Sequence, residues 1–323
     1  MPALAHAQVA YADKPPAAWQ ILRLGLAGLW LLDGLLQLQP QMFTMDMISN
    51  IMQPAATGEP GWLHGLIAWS IQWVTPNLVA FNWAVVAIQL AIGLTLLVPW
   101  PKVMRGGLWL SIVWSALVWL FGEGFGQLLT GSATFLTGAP GSVFFYGVAA
   151  GLLLWSRGWD GGPHPWPAGL AATQVVAVSL LLAAALQLEP GFWASLGLGA
   201  VIASGAVMAQ PDWLRWTLDV AAMAATLAPV LVNAVIVAIS LGLGVAVMTA
   251  AGNRWVLWAT IGWLLVVWWI GQDMGALFSG MATDPNTAPV LVLLLWAGWR
   301  ARADLAADAG GDRDLAEAER VRF

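Results

Sequence analysis

The chain has no cysteine. That excludes disulfides, thiol catalysis and iron–sulfur ligation. It also has little charge: Asp, Glu, Lys and Arg make up 9% of the residues, against about a quarter in a soluble domain. Histidine is scarce, and His6, His64 and His164 all fall outside the apolar runs, so no pair of spanning histidines exists to ligate a haem. No His and carboxylate set has metal-ligand spacing. No nucleophile–base pattern, P-loop or dinucleotide glycine signature appears. These gaps point away from an enzyme, and neither a metal nor a cofactor is expected. The net charge of −5 partly reflects an acidic tail and implies no nucleic-acid partner.

What the chain has is apolar length. Hydrophobic residues make up 60%, in long runs almost free of charge. Such runs predict an all-α polytopic protein whose first partner is the lipid bilayer. The hydrophilic ends, about 1–18 and 300–323, are too short to bury a core. The segment MPALAHAQVAYADKPPAAW lacks the basic-then-apolar order of a signal peptide, so the first span is expected to stay as a signal anchor.

The chain is also written twice. WLFGEGFGQLLTGSATFLTGAP (119–140) and WWIGQDMGALFSGMATDPNTAP (268–289) align without gaps, matching Trp119, Gly122, Gly126, Gly131 and Pro140 to Trp268, Gly271, Gly275, Gly280 and Pro289. Asn82 and Gly93 align with Asn233 and Gly244, and Pro60, Trp62 and Leu63 with Pro211, Trp213 and Leu214. We therefore expect eight transmembrane helices in two parallel four-helix repeats. The expected spans are 19–38, 77–98, 107–125, 142–156, 168–187, 227–249, 255–273 and 288–299. The units are then a cytoplasmic segment 1–18, a first repeat 19–156, a linker 157–167, a second repeat 168–299 and a charged cytoplasmic tail 300–323.

Charge sets the orientation. Lys14, Lys102, Arg105, Arg157, Arg254, Arg300 and Arg302 fall at one side, and Arg215 at the other. The basic side is cytoplasmic, which places both termini inside a plasma (inner) membrane. Two even units enter the membrane the same way round, so their pseudo-twofold axis should follow the membrane normal. The segment 191–209 is apolar enough to span. Its counterpart 41–58 carries Asp46, Asn50 and Gln53, so both are read as helices lying on the outer face. Most of the 23 Trp, including Trp19, Trp62, Trp100, Trp155, Trp255, Trp268 and Trp299, are read as an interfacial aromatic belt.

Polar groups inside the membrane are costly and mark candidate sites. Asp33 stands within the first span, where the second repeat has Ala183. Glu123 follows the third span between glycines, where the second repeat has Gln272 and then Asp273. The candidate ligand-binding residues are Asp33, Gln37, Asn82, Glu123, Gln127, Asn233, Gln272 and Asp273, set in polar pockets that open outward, one per half. Against the site reading of Glu123 stands a simple helix-end cap. Asp284 belongs to an Asx-type turn that starts the last span. Met42, Met45, Met47 and Met52 near His64 resemble a soft-metal surface, but the favoured reading rests these Met side chains on lipid.

The first span, ILRLGLAGLWLLDGLL (21–36), resembles that of DoxX/DoxD-type membrane proteins, which carry an Arg early and a Gly later. Here those positions are Arg23 and Gly34. The four-span size of each half agrees, and Thr173 stands near the position equivalent to Arg23 in the second half. The resemblance implies a partner of membrane redox complexes that works near quinone. The expected function is a non-catalytic accessory membrane protein binding quinone or another amphiphile in an outer-leaflet pocket. The alternative is a small-molecule or ion transporter with its path between the two halves.

Overall fold

The computed structural model describes residues 15–156 and 167–320. The segments expected as the cytoplasmic start and the linker, with Lys14 and Arg157, lie almost wholly outside these. The described chain is all helical and contains no strand. Its main helices are α1 (Ala17–Leu36), α2 (Gly61–Val74), α3 (Leu78–Leu97), α4 (Pro101–Phe121) and α5 (Ser142–Ser156). They continue as α6 (Pro167–Leu186), α7 (Gly197–Met208), α8 (Asp212–Leu227), α9 (Pro229–Ala250), α10 (Arg254–Val266) and α11 (Thr287–Arg320). Proline opens α4, α6 and α9, where its missing N–H costs nothing.

Among the described residues, six helical stretches are long and apolar enough to cross a membrane: Ala17–Leu36, Gly61–Leu97, Pro101–Phe121, Gly169–Leu186, Pro229–Ala250 and Arg254–Gly271. The chain is thus a multi-pass membrane protein. Large apolar side chains such as Trp83, Leu94, Trp109, Val113 and Val245 stand exposed on these helices, as they must where the solvent is hydrocarbon.

Several boundaries differ from the sequence reading. Helix α2 runs through a 3₁₀ turn at Thr75–Asn77 into α3, so the second apolar helical stretch begins at Gly61 instead of 77. Helix α7 has 12 residues, a rise of only about 18 Å against a hydrocarbon thickness of about 30 Å. It packs antiparallel on α8, with Gly199 against Thr226 and Gly205 against Leu218. Its counterpart 40–56 is broken into short turns, including a π turn at Ile48–Met52. The last helix does not stop near 299, because α11 runs on to Arg320.

Packing depends on small residues at helix crossings. Gly93 of α3 meets Leu31 and the Ala27 carbonyl of α1, and Gly34 of α1 meets Leu90. Gly244 of α9 meets Leu181 and the Ala177 carbonyl of α6 in the same way. Next to each crossing an amide fastens the end of the neighbouring helix. Asn82 Nδ2 donates to the Gln37 carbonyl and Asn233 Nδ2 to the Gln187 carbonyl, both at 2.9 Å. Helix α11 packs on α1 and α5, and α5 on α6, which joins the two halves of the chain. One core runs through both and centres on Trp19, Trp30, Phe145 and Tyr146.

Two expectations fail here for reasons of packing. Trp19 is not on the aromatic belt: it is buried, and its indole N–H donates to the Leu153 carbonyl at 3.3 Å. Trp62, Trp100, Trp155 and Trp255 are well exposed, as a belt requires. Met42, Met47 and Met52 do not rest on lipid. They are buried with Ile48, Val74 and Leu78 in a small core under the 40–56 segment, while Met45 stays exposed.

Candidate functional site

Two Gly-rich turns lie at one end of the bundle, and their backbones match closely. Gly124–Gln127 and Asp273–Ala276 each place four consecutive residues at positive φ. Gly126 lies against the Pro140 backbone and Gly275 against the Pro285 backbone, where any Cβ would collide. Trp119 Nε1 donates to the Pro140 carbonyl at 2.6 Å, and Trp268 Nε1 to the Pro285 carbonyl at 2.7 Å. Pro140 therefore has Pro285 as its structural counterpart. The gapless alignment to Pro289 is corrected: Pro289 sits within the first turn of α11.

The difference is four residues, which the first turn spends on an extra 3₁₀ turn at Phe135–Thr137. That turn docks on the other half of the chain. Thr134 Oγ1 donates to Gln187 Oε1 at 2.5 Å, Gln272 Nε2 to the Phe135 carbonyl at 3.3 Å, and Thr287 Oγ1 to the Gly138 carbonyl at 2.5 Å. In return, Gln39 Nε2 of the first half donates to the Ala282 carbonyl at 2.9 Å.

Glu123 and Gln272 occupy the same place. Each accepts from a backbone N–H in the first turn of the helix that follows. Val143 N–H donates to Glu123 Oε1 at 3.5 Å and Ala288 N–H to Gln272 Oε1 at 3.0 Å. Ser142 Oγ adds a second hydrogen bond to Glu123 Oε1 at 3.0 Å. Both residues thus satisfy otherwise orphaned N–H groups, one with a carboxyl and one with an amide. Gly141, at φ 110°, leaves the space that the Glu123 carboxylate fills, and a Cβ there would overlap it.

Beside Glu123 lies a cavity of about 390 Å³. Asp33 and Gln37 of the first helix reach it, as do Ser70 of α2, Gln89 of α3 and Glu123. Its walls are aromatic and thioether: Trp69, Trp73, Phe81, Trp114, Met47 and Met52. Thr283 and Asp284 close it from the other half of the chain. Asp284 comes near enough to act electrostatically on both Asp33 and Glu123. Its own oxygens are held by Asn286 N–H at 2.7 Å and Thr283 Oγ1 at 2.9 Å, the Asx turn expected from the sequence. Asp33 is 1% exposed, and Tyr146 Oη donates to its Oδ1 at 3.5 Å. Tyr146 in turn stacks edge-on against Trp30, with centroids 5.0 Å apart.

The eight candidate residues therefore separate. Asp33, Gln37 and Glu123 meet at the cavity. Asn82 and Asn233 are buried fasteners of helix ends, Gln272 is a helix cap, and Gln127 Nε2 donates to the Ala55 carbonyl at 3.0 Å. Asp273 sits in the second turn at φ 48°, away from the cavity. Sequence reasoning missed Asp284, Gln89 and the aromatic wall. Gln89 carried a usable signal, being an amide inside an apolar span, and Trp69 and Trp73 are four residues apart on one helix face. Asp284 carried none, because its turn-forming role accounts for it locally. A further buried acid, Glu59, lies close to Gly124 with both carboxylate oxygens unpartnered.

Among the described residues, no group of three or more His, Asp or Glu is placed to hold a metal ion. Comparison with protein-family models, with curated proteins and with solved structures gives no match.

Proposed function

We propose that the chain is a non-catalytic membrane protein that holds an amphiphilic molecule, drawn from the bilayer, in the cavity beside Asp33 and Glu123. The observation that carries this is the wall itself: an apolar, aromatic chamber with carboxylates at one end. Pockets of about 300–1,000 Å³ with a few convergent polar groups are the usual form of small-molecule sites. Trp69, Trp73 and Leu117 line the chamber and are also exposed on the outside of the bundle. That favours entry sideways from the acyl chains.

Around this site the architecture is eight spans in two parallel four-helix repeats, with α5 and α11 as the fourth span of each. The matched Gly crossings, the matched Asn fasteners and the two similar turns support it. The basic residues Lys102, Arg105, Arg254, Arg300 and Arg302 support a reading with both termini on the cytoplasmic side of a plasma (inner) membrane and the turns outside. The DoxX-like reading adds a membrane redox complex as partner and quinone as the implied ligand. Arg23 and Gly34 support it only in that both take part in packing: Arg23 Nη1 reaches Met104 Sδ at 3.6 Å, and Gly34 contacts Leu90.

Native mass spectrometry of the protein extracted with its lipid tests the reading. A small molecule should co-purify, and Asp33→Asn or Glu123→Gln should deplete it. Retention of the same adduct by both variants would place the ligand elsewhere. Flux of a solute through reconstituted vesicles would favour the transporter reading instead.

A further inference from the structure

The buried unpartnered atoms of the cavity are mostly acceptors. Asp33 Oδ2, Glu123 Oε2, Gln37 Oε1 and Gln89 Oε1 are buried and have no hydrogen-bond partner within the protein. Each belongs to a residue of the lining, and the Asp33, Gln37 and Gln89 side chains are at least nine-tenths buried. Among the buried unpartnered atoms of the lining, Trp114 Nε1 is the one donor. A buried acceptor left alone is costly, so its natural complement is a donor. The lining contains three carboxylate residues, Asp33, Glu123 and Asp284, and no Lys, Arg or His. An ionised carboxylate in an apolar wall is stabilised by a nearby positive charge and by little else. The faces of Trp69, Trp73 and Trp114 add a second feature of the same sign, because an aromatic face attracts a cation.

These observations discriminate between ligand classes. An oxidised quinone offers only acceptors and would leave the four buried acceptors without a donor. A fatty acid would add a fourth carboxylate. An ammonium group on an apolar body suits these acceptors with its N–H donors, the acids with its charge and the aromatic wall with its body.

We propose that the cavity is a site for a lipophilic organic cation bearing N–H donors, with its ammonium head between Asp33, Glu123 and Asp284 and its apolar body along Trp69, Trp73 and Trp114. This rests on the amphiphile-binding reading above and specifies its ligand class. The head lies where the two halves of the chain meet, because Asp284 comes from the second turn. The body points toward the lipid-exposed side of α2, where Trp69 and Trp73 open the wall.

The test uses the full chain in phosphatidylcholine nanodiscs and radiolabelled decylammonium, with empty nanodiscs as the partition control. The expected result is one saturable site per chain. Decanol and a decyl-benzoquinone should each need at least tenfold higher concentration to displace the label. Asp33→Asn should weaken binding at least tenfold, and Asp284→Asn, which keeps the turn acceptor, at least threefold. Asp219→Asn, an exposed acid on α8, should stay within twofold of the parent chain. Each variant is first checked for an unchanged elution profile and melting midpoint, and Glu123→Gln replaces any variant that fails. Equal competition by decanol or tighter binding of the quinone overturns the cation assignment and leaves the cavity reading standing. Saturable binding that neither Asp33→Asn nor Glu123→Gln weakens also overturns it. Absence of saturable binding by all three probes removes the cavity reading too.

Discussion

The turn at 119–143 and the turn at 268–288 share a backbone path apart from the extra 3₁₀ turn at Phe135–Thr137, and they differ in the group that caps the next helix. Both run through four residues at positive φ, both pin a Trp indole to a proline carbonyl, and both cap the next helix with the side chain that follows a Gly. The first uses Glu123 and the second Gln272. The same exchange recurs beneath the turns: Glu59 precedes Pro60 where Gln210 precedes Pro211, and Asp33 stands where the aligned residue is Ala183. The amide does the structural work in the second half, so capping alone does not require an acid in the first. The acid at the capping place lines the cavity, which also takes Asp284 from the second turn.

Four measurements break or sharpen this contrast, taken from the largest effect to the smallest. Gly141 and Asn286 hold equivalent positive-φ places before their helices, φ 110° and 66°. Gly141→Asn copies the second turn into the first but drives a side chain onto the Glu123 carboxylate. It should cost more than about 2 kcal/mol, seen as a lower thermal or chemical unfolding midpoint. Adding Glu123→Gln should recover part of that loss. A Gly141→Asn chain as stable as the parent would show that the Glu123 carboxylate does not occupy this space.

Trp119→Phe and Trp268→Phe each remove an indole donor and leave a proline carbonyl unpaired. Each should cost about 1–2 kcal/mol, and by similar amounts if the two turns are equivalent. A several-fold inequality between them in unfolding assays would deny the equivalence. Glu123→Gln should change stability by less than about 1 kcal/mol, whereas Glu123→Ala and Gln272→Ala should each lose about that much through the missing cap. Should Glu123→Gln prove as damaging as Glu123→Ala, the charge is structural after all.

The smallest effect is one of pH. Burial pushes the Glu59 carboxyl up from its ordinary value. The folded state therefore favours the neutral form. Its stabilising share is complete below the ordinary carboxylate range and is lost as pH rises through the raised folded value. Glu59→Gln should match the parent's melting midpoint near pH 4 and exceed it near pH 8. Parallel midpoints across that range would show that Glu59 titrates as it does in the unfolded chain.

Much of the fold is legible in the residues, because a membrane enforces simple rules. Apolar length locates most of the spanning helices, and Gly93 and Gly244 mark the tight crossings where only small residues fit. Other features are legible only in part. The helical run begins at Gly61 because α2 joins α3 through Thr75–Asn77, and nothing in hydropathy forbids a break there. Trp19 looked interfacial by its position at a span's end, yet the neighbouring α5 supplies a carbonyl for its indole and buries it. Met42, Met47 and Met52 are apolar enough for lipid or core, and packing against Val74 and Leu78 settles the choice.

By itself the sequence determined the solvent, the helical class, the matched turns and a set of eight polar candidates that includes Asp33, Gln37 and Glu123. These follow from composition, periodicity and the cost of placing polar groups in hydrocarbon, all of which act locally along the chain. Only the tertiary structure decided which polar residues share a cavity. Asp33 and Asp284 are far apart in sequence and meet because α11 packs on α1 and α5, which brings the second turn over the first half. Asn82 and Gln272 were equally polar candidates, but Asn82 Nδ2 and both ends of the Gln272 amide bond backbone groups that only the folded chain brings within reach. A polar residue in a membrane has to be satisfied, and whether protein or ligand satisfies it is a property of its neighbours in space.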